Sequence, residues 1–96
     1  MYFALLYDVV PGYAERRKPF RAAHLALAER FGRDGKLLLG GAFDPADDGA
    51  LLVFEAASAA DVEAFVREDP YVANGLVTSW RVRPWTVVTG RDAPRR

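Results

Sequence analysis

Residues 36–56 read KLLLGGAFDPADDGALLVFEA, and this stretch decides how the rest of the chain is interpreted. Its two ends, Lys36–Phe43 and Ala50–Ala56, are rich in the aliphatic and aromatic residues typical of strands. Between them, residues 44–49 concentrate the Asp, Pro and Gly that favour turns. The stretch therefore predicts two antiparallel strands joined by a hairpin loop, and Gly40-Gly41 indicates a bulge or a close approach of the backbone.

On each side of this hairpin the sequence predicts one further strand and one helix. Tyr2–Val10 is apolar and ends at a Pro-Gly turn, and Pro19–Arg33 has the apolar spacing of an amphipathic helix. Residues 58–68 predict the second helix, and Thr78–Val88 predicts the last strand. The order βαββαβ is that of an α+β, ferredoxin-like split fold, with a four-stranded antiparallel sheet and two helices on one face.

The predicted strands are apolar on both of their faces. In the first strand Phe3, Leu5 and Tyr7 alternate with other apolar residues, and Leu37–Leu39 and Leu51–Phe54 are continuous apolar runs. Two helices cover only one face of such a sheet. We therefore expect a homodimer in which the open faces of two sheets pack together, the alternative being a monomer with an exposed apolar face.

Composition limits the classes of partner and cofactor. The 96 residues suit one domain, taken as residues 1–90 with a frayed tail at 91–96, and 13 basic residues balance 13 acidic ones. This balance argues against nucleic acid or a membrane surface as a partner, and no segment has the length of a transmembrane helix. Without cysteine and with one histidine, no metal site and no cofactor are expected. A cytoplasmic protein is the simplest placement.

The single histidine occupies an unusual position. The apolar stripe of the first helix runs Phe20, His24, Leu27, Phe31, so a titratable ring interrupts an apolar row. Such a histidine is either a hydrogen-bonded core residue or an acid–base group with a pKa near neutrality. Arg21, three residues earlier, lies on a neighbouring part of the same face and is a candidate for holding an anionic group.

Two carboxylates are candidate partners for His24. Asp69 ends the apolar face of the second helix, where it either pairs with the imidazole or accepts hydrogen bonds from the following turn. If both helices are straight, the two residues are offset by about 8–10 Å along the helix axes at about 1.5 Å per residue. Pairing then requires the Asp69-Pro70 turn to fold back or a partner subunit to contribute. Asp8, at the exit of the first strand, is placed more easily beside His24.

The segments around His24 and Asp69 carry a family resemblance that spans nearly the whole chain. The matching segments are Arg21-Ala-Ala-His24-Leu25, Asp69-Pro70-Tyr71-Val72-Ala73-Asn74-Gly75, Asp34-Gly35-Lys36-Leu37 with Gly40-Gly41, and Val82-Arg83-Pro84-Trp85. Together they resemble the YCII-related family, which has Gly-Pro where this chain has Gly41-Ala42. The resemblance implies a dimeric α+β barrel and an enzymatic pair formed by His24 and Asp69.

Two functions remain open from the sequence. The first is a small enzyme in which His24 is the acid–base group and Asp69 or Asp8 orients it, with an isomerisation or elimination on a small anionic or cyclic oxygenated molecule. Arg21, Asp8, Tyr7 and Tyr71 are then the candidate substrate-binding residues. The second is a non-catalytic ligand-binding or regulatory dimer, with His24 as a pocket residue.

Overall fold

The computed structural model describes residues 1–94, which form a four-stranded antiparallel sheet in the order β2-β3-β1-β4. The strands are β1 (Tyr2–Val9), β2 (Leu37–Ala42), β3 (Ala50–Glu55) and β4 (Val77–Trp85). The helices are α1 (Tyr13–Arg16), α2 (Arg21–Arg33), α3 (Ala59–Glu68) and α4 (Pro70–Ala73). The predicted ferredoxin-like α+β fold is confirmed.

The structure contains two short helices that the sequence did not predict. One is α1, in the polar connection after β1, where Gly12 turns the chain with φ +75°. The other is α4, which follows directly after α3. The long helix α2 begins at Arg21 rather than at Pro19, because residues 18–20 form a 3₁₀ turn. Gly40-Gly41 predicted a bulge or a close approach of the backbone. The pairing of β2 with β3 shifts between Leu37 and Leu39, just before these glycines, and a Cβ at Gly40 would lie 2.9 Å from Leu52 Cγ.

The core lies between one face of the sheet and the two long helices. Alternate residues of β1 point into it, as expected for a strand. The helices cover them with apolar residues spaced at three and four positions. The buried members are Phe3, Leu5 and Tyr7 of β1, Leu27 and Phe31 of α2, and Val62, Phe65 and Val66 of α3. This packing fixes how α2 and the end of α3 approach each other.

No helix of residues 1–94 packs on the other face of the sheet. Leu39 of β2 and Trp85 of β4 are 64% and 50% exposed, and the residues after β4 return toward this face. Together they enclose a shallow apolar pocket of about 570 Å³ that includes Leu51 and Val53 of β3. Within residues 1–94, no helix has the length and apolar character needed to cross a membrane. The single domain at 1–90 stays a prediction, and part of the predicted tail, residues 95–96, lies outside the described residues.

Candidate active site

Asp69 is the centre of the site, and none of its surface is exposed. Its backbone leaves α3 in an extended conformation (φ −70°, ψ 118°), and its side chain caps the next helix, α4. Oδ1 accepts the Tyr71 backbone N–H at 3.0 Å. A carboxylate at a helix C-terminus is disfavoured by the helix dipole, but the same group is favoured at an N-terminus. The immediate start of α4 therefore explains why an acid can end the apolar face of α3.

Two further hydrogen bonds converge on this carboxylate. The Tyr7 hydroxyl donates to Oδ2 at 2.7 Å, and His24 Nδ1 lies 2.9 Å from Oδ1. Since an ionised carboxylate only accepts hydrogen bonds, the Nδ1 of a neutral His24 carries the ring proton. Its Nε2 then holds a free lone pair. Asp69 thus selects the tautomer in which the second ring nitrogen is a base.

Aromatic rings hold the imidazole of His24 in this orientation. The Tyr71 ring stacks on it, with 4.0 Å between ring centroids and 11° between planes. The Phe65 ring meets it edge-on at 6.2 Å. The His24 side chain keeps 15% of its surface exposed, in contrast to the sealed Asp69. This remaining surface belongs to a pocket.

The pocket has a volume of about 400 Å³ and lies between α1, α2 and the β2–β3 hairpin. Its lining combines phenol, imidazole and guanidinium groups with small aliphatic and glycine residues. The lining residues are Tyr7, Tyr13, Arg17, Arg21, His24, Leu25, Ala28, Leu37, Gly40, Gly41, Ala42, Ala50, Leu52 and Tyr71. At Gly40 an added Cβ would lie 2.9 Å from Leu52 Cγ, so the glycine leaves this wall open. With the Nδ1 of His24 turned to Asp69, Nε2 is the ring nitrogen that can reach this space.

Arg17 is a pocket residue that sequence reasoning missed. It follows α1 directly, and its guanidinium lies 5.2 Å from the centre of the Tyr13 ring. The hairpin loop holds α1 in place, because the Asp47 carboxylate accepts the backbone N–H groups of Gly12 (3.1 Å) and Tyr13 (3.2 Å). The connection after β1 looked like a polar linker, and nothing in it indicated a short helix tied to residue 47.

The pocket contains three buried tyrosines, Tyr7, Tyr13 and Tyr71, which we call the pocket tyrosines. Burial raises the pKa of each hydroxyl, since it disfavours the charged phenolate. For Tyr7 the charge and hydrogen bond of Asp69 raise the pKa further. For Tyr71, Arg17 and Arg21 act in the opposite direction without cancelling the effect of burial. All three are therefore neutral hydrogen-bonding groups at physiological pH.

The structure brings five of the six predicted site residues together. His24 and Asp69 are in direct contact within one chain, Tyr7 and Tyr71 bracket them, and Arg21 lines the same pocket. The predicted offset along the axes is overcome because Asp69 has left α3 and turned back. Asp8 lies elsewhere: its side chain is exposed and accepts a hydrogen bond from Ser79 of β4 at 2.7 Å. The strand alternation that points Tyr7 toward the helices points Asp8 away from them.

The geometry defines a ferredoxin-like α+β protein with a buried His–Asp pair beside a polar pocket. No group of three or more His, Cys, Asp or Glu residues placed to hold a metal ion occurs in the described part of the chain. The YCII-related domain matches residues 1–86, and the chain belongs to this family. The resemblance of its sequence motifs is thereby confirmed.

One solved structure similar to this chain is an enzyme with a bound ligand. It is the 5-chloro-2-hydroxyhydroquinone dehydrochlorinase from Burkholderia phenoliruptrix AC1100, in complex with 2,5-dihydroxybenzoquinone. The two share 30% sequence identity with a TM-score of 0.77, over 92% of this chain and 96% of the dehydrochlorinase. No curated protein matches the sequence.

Proposed function

We propose that this protein is a cofactor-independent enzyme that moves a proton on a small oxygenated ring molecule, in an elimination or an isomerisation. One observation carries the proposal. A fully buried carboxylate fixes the Nδ1 of His24, and the ring borders a pocket of about 400 Å³. A core histidine has no need of such a space, whereas a general base requires one next to it.

In this mechanism the Nε2 of His24 removes a proton from the substrate. The imidazolium that forms is stabilised by the Asp69 carboxylate, which the Tyr7 hydroxyl and the Tyr71 N–H keep in place. The electron pair left on the substrate expels a leaving group as an anion, or the proton returns at another atom of the ring. Acid–base catalysis of this kind contributes about 10²–10⁴-fold to a rate.

The substrate class rests on the pocket and on the structural neighbour. Aromatic side chains line one wall, and the volume is within the range of small-molecule sites. The neighbouring dehydrochlorinase carries a chlorinated hydroxyhydroquinone in its name and a dihydroxybenzoquinone in its structure. An oxygenated six-membered ring is therefore the first substrate class to test.

The decisive experiment compares wild-type protein with His24→Gln. Chloride release from 5-chloro-2-hydroxyhydroquinone is measured, together with deuterium uptake from D₂O into a panel of hydroxylated ring compounds. We expect the fastest of these reactions to fall by about 10²-fold or more in the variant. Glu29→Gln is the matched control on the exposed side of α2, where Glu29 pairs with Arg33. Binding of 2,5-dihydroxybenzoquinone without any turnover or exchange would favour the non-catalytic ligand-binding dimer instead.

We also propose that two copies of the chain pair through the open face of the sheet. The support is the exposed Leu39 and Trp85, together with the apolar Leu51 and Val53 beside them, on a domain small enough to gain stability from association. Leu39→Asp should shift the mass measured by light scattering from dimer to monomer. The control, Ala60→Asp, adds the same charge at an exposed position of α3 and should leave the mass unchanged. A wild-type protein that is monomeric at high micromolar concentration contradicts the proposal.

A further inference from the structure

Two arginines at the pocket have no acidic partner. Arg17 and Arg21 both line it, and neither forms an ion pair anywhere in residues 1–94. The next arginines along α2 behave differently, since Arg30 and Arg33 bind Glu68 and Glu29. None of the residues that line the pocket is acidic. Two positive charges therefore face a small cavity without compensation.

The neighbouring carboxylate does not supply this compensation. Asp69 already accepts hydrogen bonds from Tyr7, His24 and the Tyr71 backbone, and both of its oxygens are engaged. It is also sealed from the pocket, with no exposed surface. The charge that the arginines can bind must therefore come from outside the chain.

The hydroxyl of Tyr71 adds a third polar group at the same place. The side chain is 1% exposed, and its oxygen has no hydrogen-bond partner in the described residues. A buried polar group without a partner is unfavourable, so it marks a position where a ligand or a moved side chain can complete the hydrogen bonding. Arg17 and Arg21 both lie near enough to lower the pKa of this hydroxyl against the effect of burial.

We infer that Arg17, Arg21 and the Tyr71 hydroxyl form an anion-binding subsite, and that the substrate carries an ionised ring oxygen which binds there. Guanidinium groups suit this role because they are permanently charged and present several N–H donors in one plane. The inference rests on the proposed function, in which His24 acts on the same bound molecule. Beyond that function, the inference specifies that the substrate is negatively charged and identifies the part of the pocket that binds the charge.

The subsite is compatible with the charge balance of an elimination. The reacting form is a ring with one ionised oxygen whose carbon bearing the leaving group is saturated, as in the keto tautomer of a hydroxylated ring. It gives a proton to His24 Nε2, the electron pair of the broken O–H or C–H bond forms a new π bond, and the leaving group departs as an anion. The ring therefore keeps one negative charge from start to finish. Arg17 and Arg21 bind substrate and product alike, so their loss should raise KM more than it lowers kcat.

The test uses one charged ligand and one uncharged ligand of similar shape. The ring hydroxyls of 2,5-dihydroxybenzoquinone are conjugated to carbonyls and are ionised at pH 7, whereas hydroquinone is an ordinary phenol and stays neutral. Titration calorimetry at low salt gives the dissociation constant of each for wild type, Arg17→Gln, Arg21→Gln and Tyr71→Phe. The matched control is Arg16→Gln, which removes the same charge from an exposed position of α1 that does not line the pocket.

Each arginine variant should weaken binding of the quinone anion by about 10-fold or more, in the range of a charge-assisted hydrogen bond. Tyr71→Phe should weaken it by roughly 3- to 10-fold, the range of a neutral hydrogen bond. Binding of hydroquinone should change by less than about 3-fold in every variant. The control should match wild type with both ligands.

Three results overturn the inference: no binding of the quinone anion by wild-type protein, equal anion affinity in wild type and both arginine variants, or equal losses for the charged and neutral ligands. The proposed function can fail separately. If anion binding depends on the arginines but no turnover or exchange depends on His24, the anion-binding subsite is supported and the proposed enzymatic function is refuted. If turnover depends on His24 but not on the arginines, the enzymatic function is supported and the anion-binding subsite is refuted.

Discussion

Tyr7→Phe removes a single hydroxyl from the centre of the site and leaves the shape of the side chain unchanged. The hydroxyl and its acceptor, Asp69 Oδ2, are buried and lie 2.7 Å apart. The Tyr7 hydroxyl is the donor to Oδ2, whereas His24 and the Tyr71 backbone N–H bind Oδ1. The substitution therefore leaves one oxygen of a buried carboxylate without a partner.

The expected loss of stability follows from this geometry. Removing one partner of a buried hydrogen bond costs about 1–3 kcal/mol, and more when the remaining group is charged. We expect the free energy of unfolding to fall by about 2–3 kcal/mol. In a domain of this size that lowers the melting temperature by roughly 10–20 °C.

Urea denaturation followed by circular dichroism measures the effect, and the midpoint should move without a change in slope. Tyr2→Phe is the control, because Tyr2 lies on the open face of the sheet. It removes the same hydroxyl from the sheet face opposite the core and should alter stability by less than about 0.5 kcal/mol. A double-mutant cycle with Asp69→Asn should give a coupling energy of about 1 kcal/mol or more. A loss below about 0.5 kcal/mol for Tyr7→Phe would refute the view that this hydrogen bond stabilises the buried Asp69 side chain.

Three further predictions concern the same site. Asp69→Asn should lower kcat by about 10²–10⁴-fold in the chloride-release or exchange assay, because it removes the charge that stabilises the His24 imidazolium; an unchanged kcat would contradict the acid–base role. Raised pKa values in the pocket tyrosines mean that above about pH 10 the unfolded chain loses protons which the folded chain keeps. Stability should be independent of these groups below pH 10 and then fall as the pH rises further, with Tyr7 alone contributing about 1.4 kcal/mol per pH unit, measured by urea titration with tyrosinate absorbance at 295 nm; a flat stability to pH 11 would count against it. Gly40→Val should place a side chain against Leu52 at the pocket wall, and such overpacking lowers the free energy of unfolding by about 1–3 kcal/mol. By narrowing the pocket it should also weaken binding of 2,5-dihydroxybenzoquinone by about 10-fold, or about 1.4 kcal/mol; full affinity with unchanged folding would show that this wall is not used.

Much of the fold could be predicted from residue patterns because its elements follow local rules. The alternation in β1 and the spacing of Leu27 and Phe31 in α2 are short-range features, and the structure places them as expected. Short-range patterns also singled out His24 and Asp69, since each puts a polar group in an apolar row. Where a side chain breaks the period of its own element, the sequence alone shows the anomaly.

The contacts between elements could not be predicted in the same way. The estimated offset of His24 and Asp69 assumed straight helices, but Asp69 leaves α3 with extended backbone and caps α4. Nothing in the strand pattern showed that Tyr7 donates to this carboxylate, because a tyrosine in a buried strand is equally suited to plain packing. The position of Arg17 depends on α1, whose first residues are held by hydrogen bonds to Asp47, 34 and 35 positions away along the chain.

The Asp69 carboxylate has a consequence for how the proposed activity is lost on heating. Its partners come from β1, from α2 and from the start of α4, so the orientation of the imidazole depends on three separate parts of the chain packing together. A site on a mobile loop can be inactivated by local opening while the rest of the domain stays folded. Here, inactivation by heat and melting of the tertiary structure should follow one curve, and residual turnover would measure the fraction of folded molecules directly.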